Sequence, residues 1–97
     1  MKTDKSTVEF EWDKGNIDKN KKHKVEDREA EEVFFDDRKV ILKDTLHSGF
    51  EERCIILGLT KKARLLYIVF TIRKERIRII SARNAIKREV HLYEKTT

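Results

Sequence analysis

The sequence predicts a single α+β domain: a short strand and two helices at the N-terminus, then a four-stranded antiparallel sheet and a C-terminal helix. Three observations predict it. Ninety-seven residues suffice for one hydrophobic core and not for two. From Lys39 onward, β-branched and aromatic residues run in segments with period 2, and the later breaks between them, at 60–63 and 74–75, are short enough to force antiparallel neighbours. On either side of that block the apolar spacing changes to the i, i+3, i+4 and i+7 positions of helices. Leu, Ile, Val and Phe make up 28 of the 97 residues, which is enough to fold although 42% of the chain is charged.

Residues 1–7 hold no apolar side chain beyond Met1 and are expected to fray, leaving 8–97 as the domain. Val8, Phe10 and Trp12 alternate with Glu9, Glu11 and Asp13, the pattern of a half-buried strand. Asp13 can cap a helix over 14–23, although Ile17 is its only apolar anchor. Ala30, Val33 and Phe34 share one helical face at 26–36, and Glu26, Asp27 and Glu29 sit in the first turn, where the helix dipole favours acids. Strands follow at 40–42, 53–59, 64–73 and 76–82, with a polar loop at 43–51. Both alternating sets of the 64–73 strand are apolar, Leu66, Ile68 and Phe70 on one side and Leu65, Tyr67 and Val69 on the other. That strand belongs in mid-sheet with helical cover. Asn84 caps a last helix whose Ile86, Val90 and Tyr93 fall at i, i+4 and i+7.

Charge divides the chain. Residues 1–50 carry 11 Lys/Arg against 13 Asp/Glu, and residues 51–97 carry 12 against 5, so a net +7 sits on the more apolar half. Cations mounted on a rigid core lose little freedom on meeting phosphates. No apolar run approaches the length of a spanning helix, and the start has no apolar stretch of a secretory signal, so a cytoplasmic protein with no membrane partner is expected. The single cysteine, Cys54, excludes an internal disulfide and lacks a second thiol for a zinc or redox pair.

Residues 73–88 hold seven Lys/Arg in sixteen positions. Guanidinium groups grip phosphates through paired hydrogen bonds. Arg53, Arg64, Arg78, Arg83 and Arg88 are therefore candidates for a phosphate-binding surface; alternatively, Arg76 and Arg78 cover a sheet face and pair with Glu51 or Glu52. His47, in the loop before Arg53, is positioned for substrate contact or proton transfer, or is an ordinary loop residue. His23 and His91 read as surface positions. Asp44 and Glu52 make a poor metal pair, since Cys54 stands where a catalytic lysine is needed, and no metal or cofactor is expected. Cys54 reads as a core thiol and Trp12 as a core anchor.

Several motifs together resemble the BrnT family of bacterial toxins. They are FEWD at 10–13, Asn20 with Lys22 and His23, HSGFEER at 47–53 with Gly58, RLLYIVFTIR at 64–73, IRIISAR at 77–83, and Arg88-Glu89 with Tyr93. The resemblance covers about residues 8–95. Relative to the family pattern, one residue fewer separates Asn20 from Lys22, and Lys24 follows His23 where Gly is common. No catalytic role is carried to His23.

The resemblance implies a RelE-like fold and a metal-independent endoribonuclease that inhibits translation, in which the ribose 2'-hydroxyl attacks the adjacent phosphorus. It implies a catalytic set drawn from His47, Glu52, Arg64, Arg83 and Tyr93, with RNA held by Arg53, Arg78 and Arg88. Arginines would stabilise the developing charge, and His47, Glu52 or Tyr93 would supply proton transfer, with the choice open. The implied partners are RNA, the ribosome as a further candidate, and a BrnA-like antitoxin, a 2:2 complex being one arrangement. DNA is reached only through that antitoxin. The competing reading is a non-enzymatic module whose basic face binds nucleic acid or an acidic protein.

Overall fold

A computed structural model describes residues 8–46, 49 and 51–96. The frayed terminus expected at 1–7 and the loop residue His47 lie outside the described residues. The elements in order are a 3-10 helix Lys19–His23, helix α1 Asp27–Val33, strands β1 Val40–Asp44, β2 Arg53–Leu59, β3 Leu65–Arg73 and β4 Arg76–Asn84, and helix α2 Lys87–Thr96. The strands pair antiparallel in the order β1-β2-β3-β4, so the expected α+β class and meander form. At the β3-β4 turn Lys74 and Glu75 take φ of 52° and 66°. Two successive left-handed residues match the twist of a tight hairpin.

Leu66, Ile68 and Phe70 bury one face of β3 against Val25, Ala30, Val33 and Phe34, with Ile56, Ile79 and Ala82 beside them. Gly58 permits α1 to lie this close to β2. A Cβ there would stand 2.7 Å from Val33 Cγ1 and 3.1 Å from the Val33 carbonyl oxygen. The described residues cover the other sheet face only in part. Leu57 and Tyr93 are buried where α2 lies across it. Beyond α2, Ile55 and Val69 are half-buried and Leu42 is exposed. Both sides of β3 are thus apolar, as expected, but one side ends in an open floor.

Three local expectations change. The strand expected over 8–12 is a single parallel bridge between Phe10 and Ile77, in which Glu11 N–H donates to Ile77 O and Ile77 N–H donates to Glu9 O. The alternation still holds: Phe10 meets Phe34 edge-on at 5.4 Å, and Trp12 packs on the core and donates to Glu31 at 2.7 Å. The helix expected over 14–23 is a series of turns ending in the 3-10 helix, because its one apolar anchor, Ile17, is 49% exposed and no buried apolar face supports an α-helix. Asn84 ends β4 rather than capping α2; Glu89 takes over by accepting the Ile86 N–H at 2.9 Å.

Candidate nucleic-acid interface

Strict alternation along β4 would put Arg78 and Arg83 on opposite faces. They share one. Val69 faces Ser81 while Phe70 faces Ile79, so Ile80 is an extra residue in β4. A one-residue bulge reverses the alternation beyond it. Ala82, Ile79 and Ile77 consequently all reach the core, and Arg83, Ser81 and Arg78 all point to the partly open face.

Two buried asparagines hold the bulged edge. Asn16 Nδ2 donates to Ile79 O at 3.1 Å and to Glu11 O at 2.9 Å, while its Oδ1 accepts the Asp13 N–H at 2.8 Å. Asn20 Oδ1 accepts the Ala82 N–H at 2.9 Å. Residues 9–20 therefore close the outer edge of β4, with backbone at Ile77 and with side chains at Ile79 and Ala82.

A cleft of about 420 Å³ opens at the hairpin end of this face, lined by Lys19, Gly49, Glu51, Arg53, Arg73 and Arg78 among others. Asp44 faces Arg53 across β1-β2, and Thr71 faces Arg78 across β3-β4. Arg78 Nη1 donates to Glu11 and Asp13, each at 2.8 Å, and Nη2 donates to Asp13 at 3.0 Å. The Arg78 hydrogen bond, helped by the Gly15 N–H, holds the Asp13 carboxyl below its usual range. Arg73 pairs with Glu51 and Glu11, and Arg76 with Glu9. The basic strand thus carries its own acidic strap, and the signal for it lay in Glu9, Glu11 and Asp13, which alternate with Phe10 and Trp12. The expected cross-strand partner Glu51 serves Arg73, not Arg76 or Arg78.

Four residues along β3, about 13 Å at strand rise, lies a second cluster. Arg83 makes paired bonds of 2.9 Å to both Glu89 oxygens, and its guanidinium carbon stands 4.0 Å from the centre of the Tyr67 ring. Burial opposes ionisation of Glu89, but the Arg83 bond, the Ile86 N–H and the charges of Arg83 and Arg88 hold its carboxyl low. Burial, then the charge of Glu89, pushes the Tyr67 phenol above its ordinary value. Sequence reasoning passed over Tyr67 because its period-2 position reads as core. Arg88 is exposed on α2.

The remaining candidates do not join these clusters. Arg64 donates to the Lys24 and His23 carbonyls, to Glu29 and to Asn84, tying the 3-10 helix, α1 and β4 together. Tyr93 donates to Asp36 at 2.6 Å, and burial with that bond raises its phenol to about 12. Glu52 pairs with Lys43 at 2.9 Å. Lys43 faces Cys54, which packs on the core, so this pair lies on the helix side of the sheet and Asp44 on the other. Gly49 of the cleft is two residues beyond His47. Among the described residues, no group of three or more His, Cys, Asp or Glu side chains is arranged to hold a metal ion.

The family model of the ribonuclease toxin BrnT, of type II toxin-antitoxin systems, matches residues 12–89. The chain belongs to the BrnT family. No curated protein matches it in sequence. BrnT membership makes the chain a ribonuclease toxin and implies a protein antitoxin as partner. No helix among the described residues is long and apolar enough to cross a membrane. Lys24 sits at φ 58°, a conformation that glycine adopts without strain.

Proposed function

We propose that this toxin cuts RNA by internal attack of the ribose 2'-hydroxyl on the adjacent phosphorus, without a metal ion, and so blocks translation. The observation that carries the reading is the bulge at Ile80, which turns Arg78 and Arg83 toward one partly open face. A single RNA strand crossing that face would meet Arg53 and Arg78 at one end and Arg83 and Arg88 at the other. Half-buried Ile55 and Val69 lie between them as an apolar floor for bases. Preformed ion pairs fix the guanidinium groups before substrate arrives, which lowers the reorganisation needed at the transition state. His47, beside the cleft in sequence, is the proposed proton acceptor. Glu52 has no part in this reading, because Lys43 holds it on the other side of the sheet.

The antitoxin, proposed to be BrnA-like and the route to DNA, would neutralise the toxin by covering this face. The experiment is incubation of purified protein with RNA in excess chelator, followed by analysis of the product ends. Cleavage that survives chelation and leaves 2',3'-cyclic phosphate or 3'-phosphate is expected. Activity that needs magnesium and leaves 3'-hydroxyl ends would overturn the mechanism, and tight binding with no cleavage would favour a non-enzymatic module. Expression alone is expected to arrest growth, and co-expression of the antitoxin to restore it.

A further inference from the structure

The chain has two tyrosines, and they differ in what their hydroxyls can do. The Tyr93 hydroxyl is committed: it lies on α2 and donates to Asp36 at 2.6 Å, and Asp36 also accepts the Leu59 N–H at 2.8 Å. The Tyr67 hydroxyl has no hydrogen-bond partner among the described residues. It rises from mid-sheet on the partly open face, half-buried, where β3 faces Leu57 on one side and Arg83 on the other. Arg83 stacks on its ring at 4.0 Å and is fixed there by Glu89. Arg88, Glu89 and Asp44 lie within electrostatic reach of the phenol.

We infer that Tyr67 is the general acid of the cleavage, protonating the 5'-oxygen that leaves the scissile phosphate. The inference rests on the cleavage reading above and assigns one of its residues. The 2'-oxygen bonds to phosphorus and gives its proton to the site's acceptor. The bond from phosphorus to the 5'-oxygen breaks, and that oxygen takes the Tyr67 proton. Water then relays the acceptor's proton to the phenolate, which restores both groups, so no other reactant is needed. Arg83 serves twice, offsetting charge on the phosphoryl oxygens and on the phenol as it loses its proton. A phenol is protonated near neutral pH at its ordinary value, the state in which it can donate.

The test uses the purified full chain in single-turnover cleavage of two RNA oligonucleotides. One is normal, and the other carries sulfur in place of the 5'-bridging oxygen at the linkage the wild type cuts. A sulfur leaving group departs without a proton. Tyr67→Phe keeps the ring under Arg83, and its melting curve verifies the fold. The variant is expected to cut the oxygen substrate slower by on the order of a hundredfold and the sulfur substrate at close to the wild-type rate. An unchanged rate on the oxygen substrate, or equal slowing on both substrates, overturns the assignment. A wild-type protein that cuts neither substrate removes the cleavage reading itself. That result is distinct from a wild type that cuts beside a variant with the wrong pattern.

Discussion

The Asn16 side-chain amide donates to the Ile79 carbonyl at 3.1 Å, across 63 residues of sequence. It meets β4 one residue before the Ile80 bulge, which brings Arg78 on the near side and Arg83 on the far side to one face. The same side chain is 2% exposed and fixes the strap that carries Glu11 and Asp13. Asn16→Leu leaves the buried Ile79 carbonyl and the partly buried Glu11 carbonyl and Asp13 N–H without this partner. Each such group costs about 1–3 kcal/mol, so we expect at least about 2 kcal/mol of destabilisation in urea unfolding. A midpoint equal to the wild type would show that the bulge holds without Asn16.

Arg78 stands among carboxylates that offset its charge before any phosphate arrives. With Arg53, Arg78, Arg83 and Arg88 as the contacts, the logarithm of RNA affinity should fall with the logarithm of salt at a slope of about −3. Arg78→Ala should flatten the slope by about 0.7. Asp13→Asn should tighten binding by about two- to fivefold, because an exposed ion pair is worth up to about 1 kcal/mol. Fluorescence anisotropy against salt measures all three. A slope near zero would remove the phosphate surface.

Arg64 ties three elements together. Its guanidinium reaches two carbonyls at the end of the 3-10 helix, Glu29 of α1 and Asn84 of β4. Arg64→Ala should destabilise the fold by about 2–3 kcal/mol. Arg64→Lys should recover little of that, since an ammonium cannot span the fork. Thermal melts of the two variants provide the comparison; full recovery in the lysine variant would mean that charge alone matters there.

Tyr93 links α2 to the end of α1 through Asp36. Burial and the Asp36 carboxylate raise its phenol from 10.0 to about 12. A raised pKa in the folded state means that the folded protein holds the proton longer. The contribution is complete below pH 10 and is lost as the pH rises through about 12. Tyr93→Phe should therefore be less stable than the wild type at pH 8 by roughly 1–2 kcal/mol, with the gap closing as the pH rises above 10. Paired unfolding curves at pH 8 and pH 11 test this, and a gap that does not change with pH would contradict it.

The α+β order, the strand limits of β2 and the helical face of Ala30, Val33 and Phe34 were legible in the sequence, because period and burial there depend only on local alternation. The basic character of the second half was legible for the same reason, since side-chain charge needs no fold to be counted. Only the tertiary structure decided which arginines share a face. Alternation read along β4 assigns Arg78 and Arg83 to opposite faces, and one residue, Ile80, reverses that. The bulge is stabilised by Asn16 and Asn20, more than 60 residues away, so no local window contains its cause. The same distance hid the fates of Arg64 and Tyr93, whose polar groups are consumed by partners on other elements, and of Tyr67, whose hydroxyl has no partner among the described residues. Composition tells how many cations and phenols a chain has. Pairing between elements determines which of the two phenols keeps its hydroxyl proton for a substrate: Tyr93 gives its hydrogen bond to Asp36, and the Tyr67 hydroxyl has no partner among the described residues.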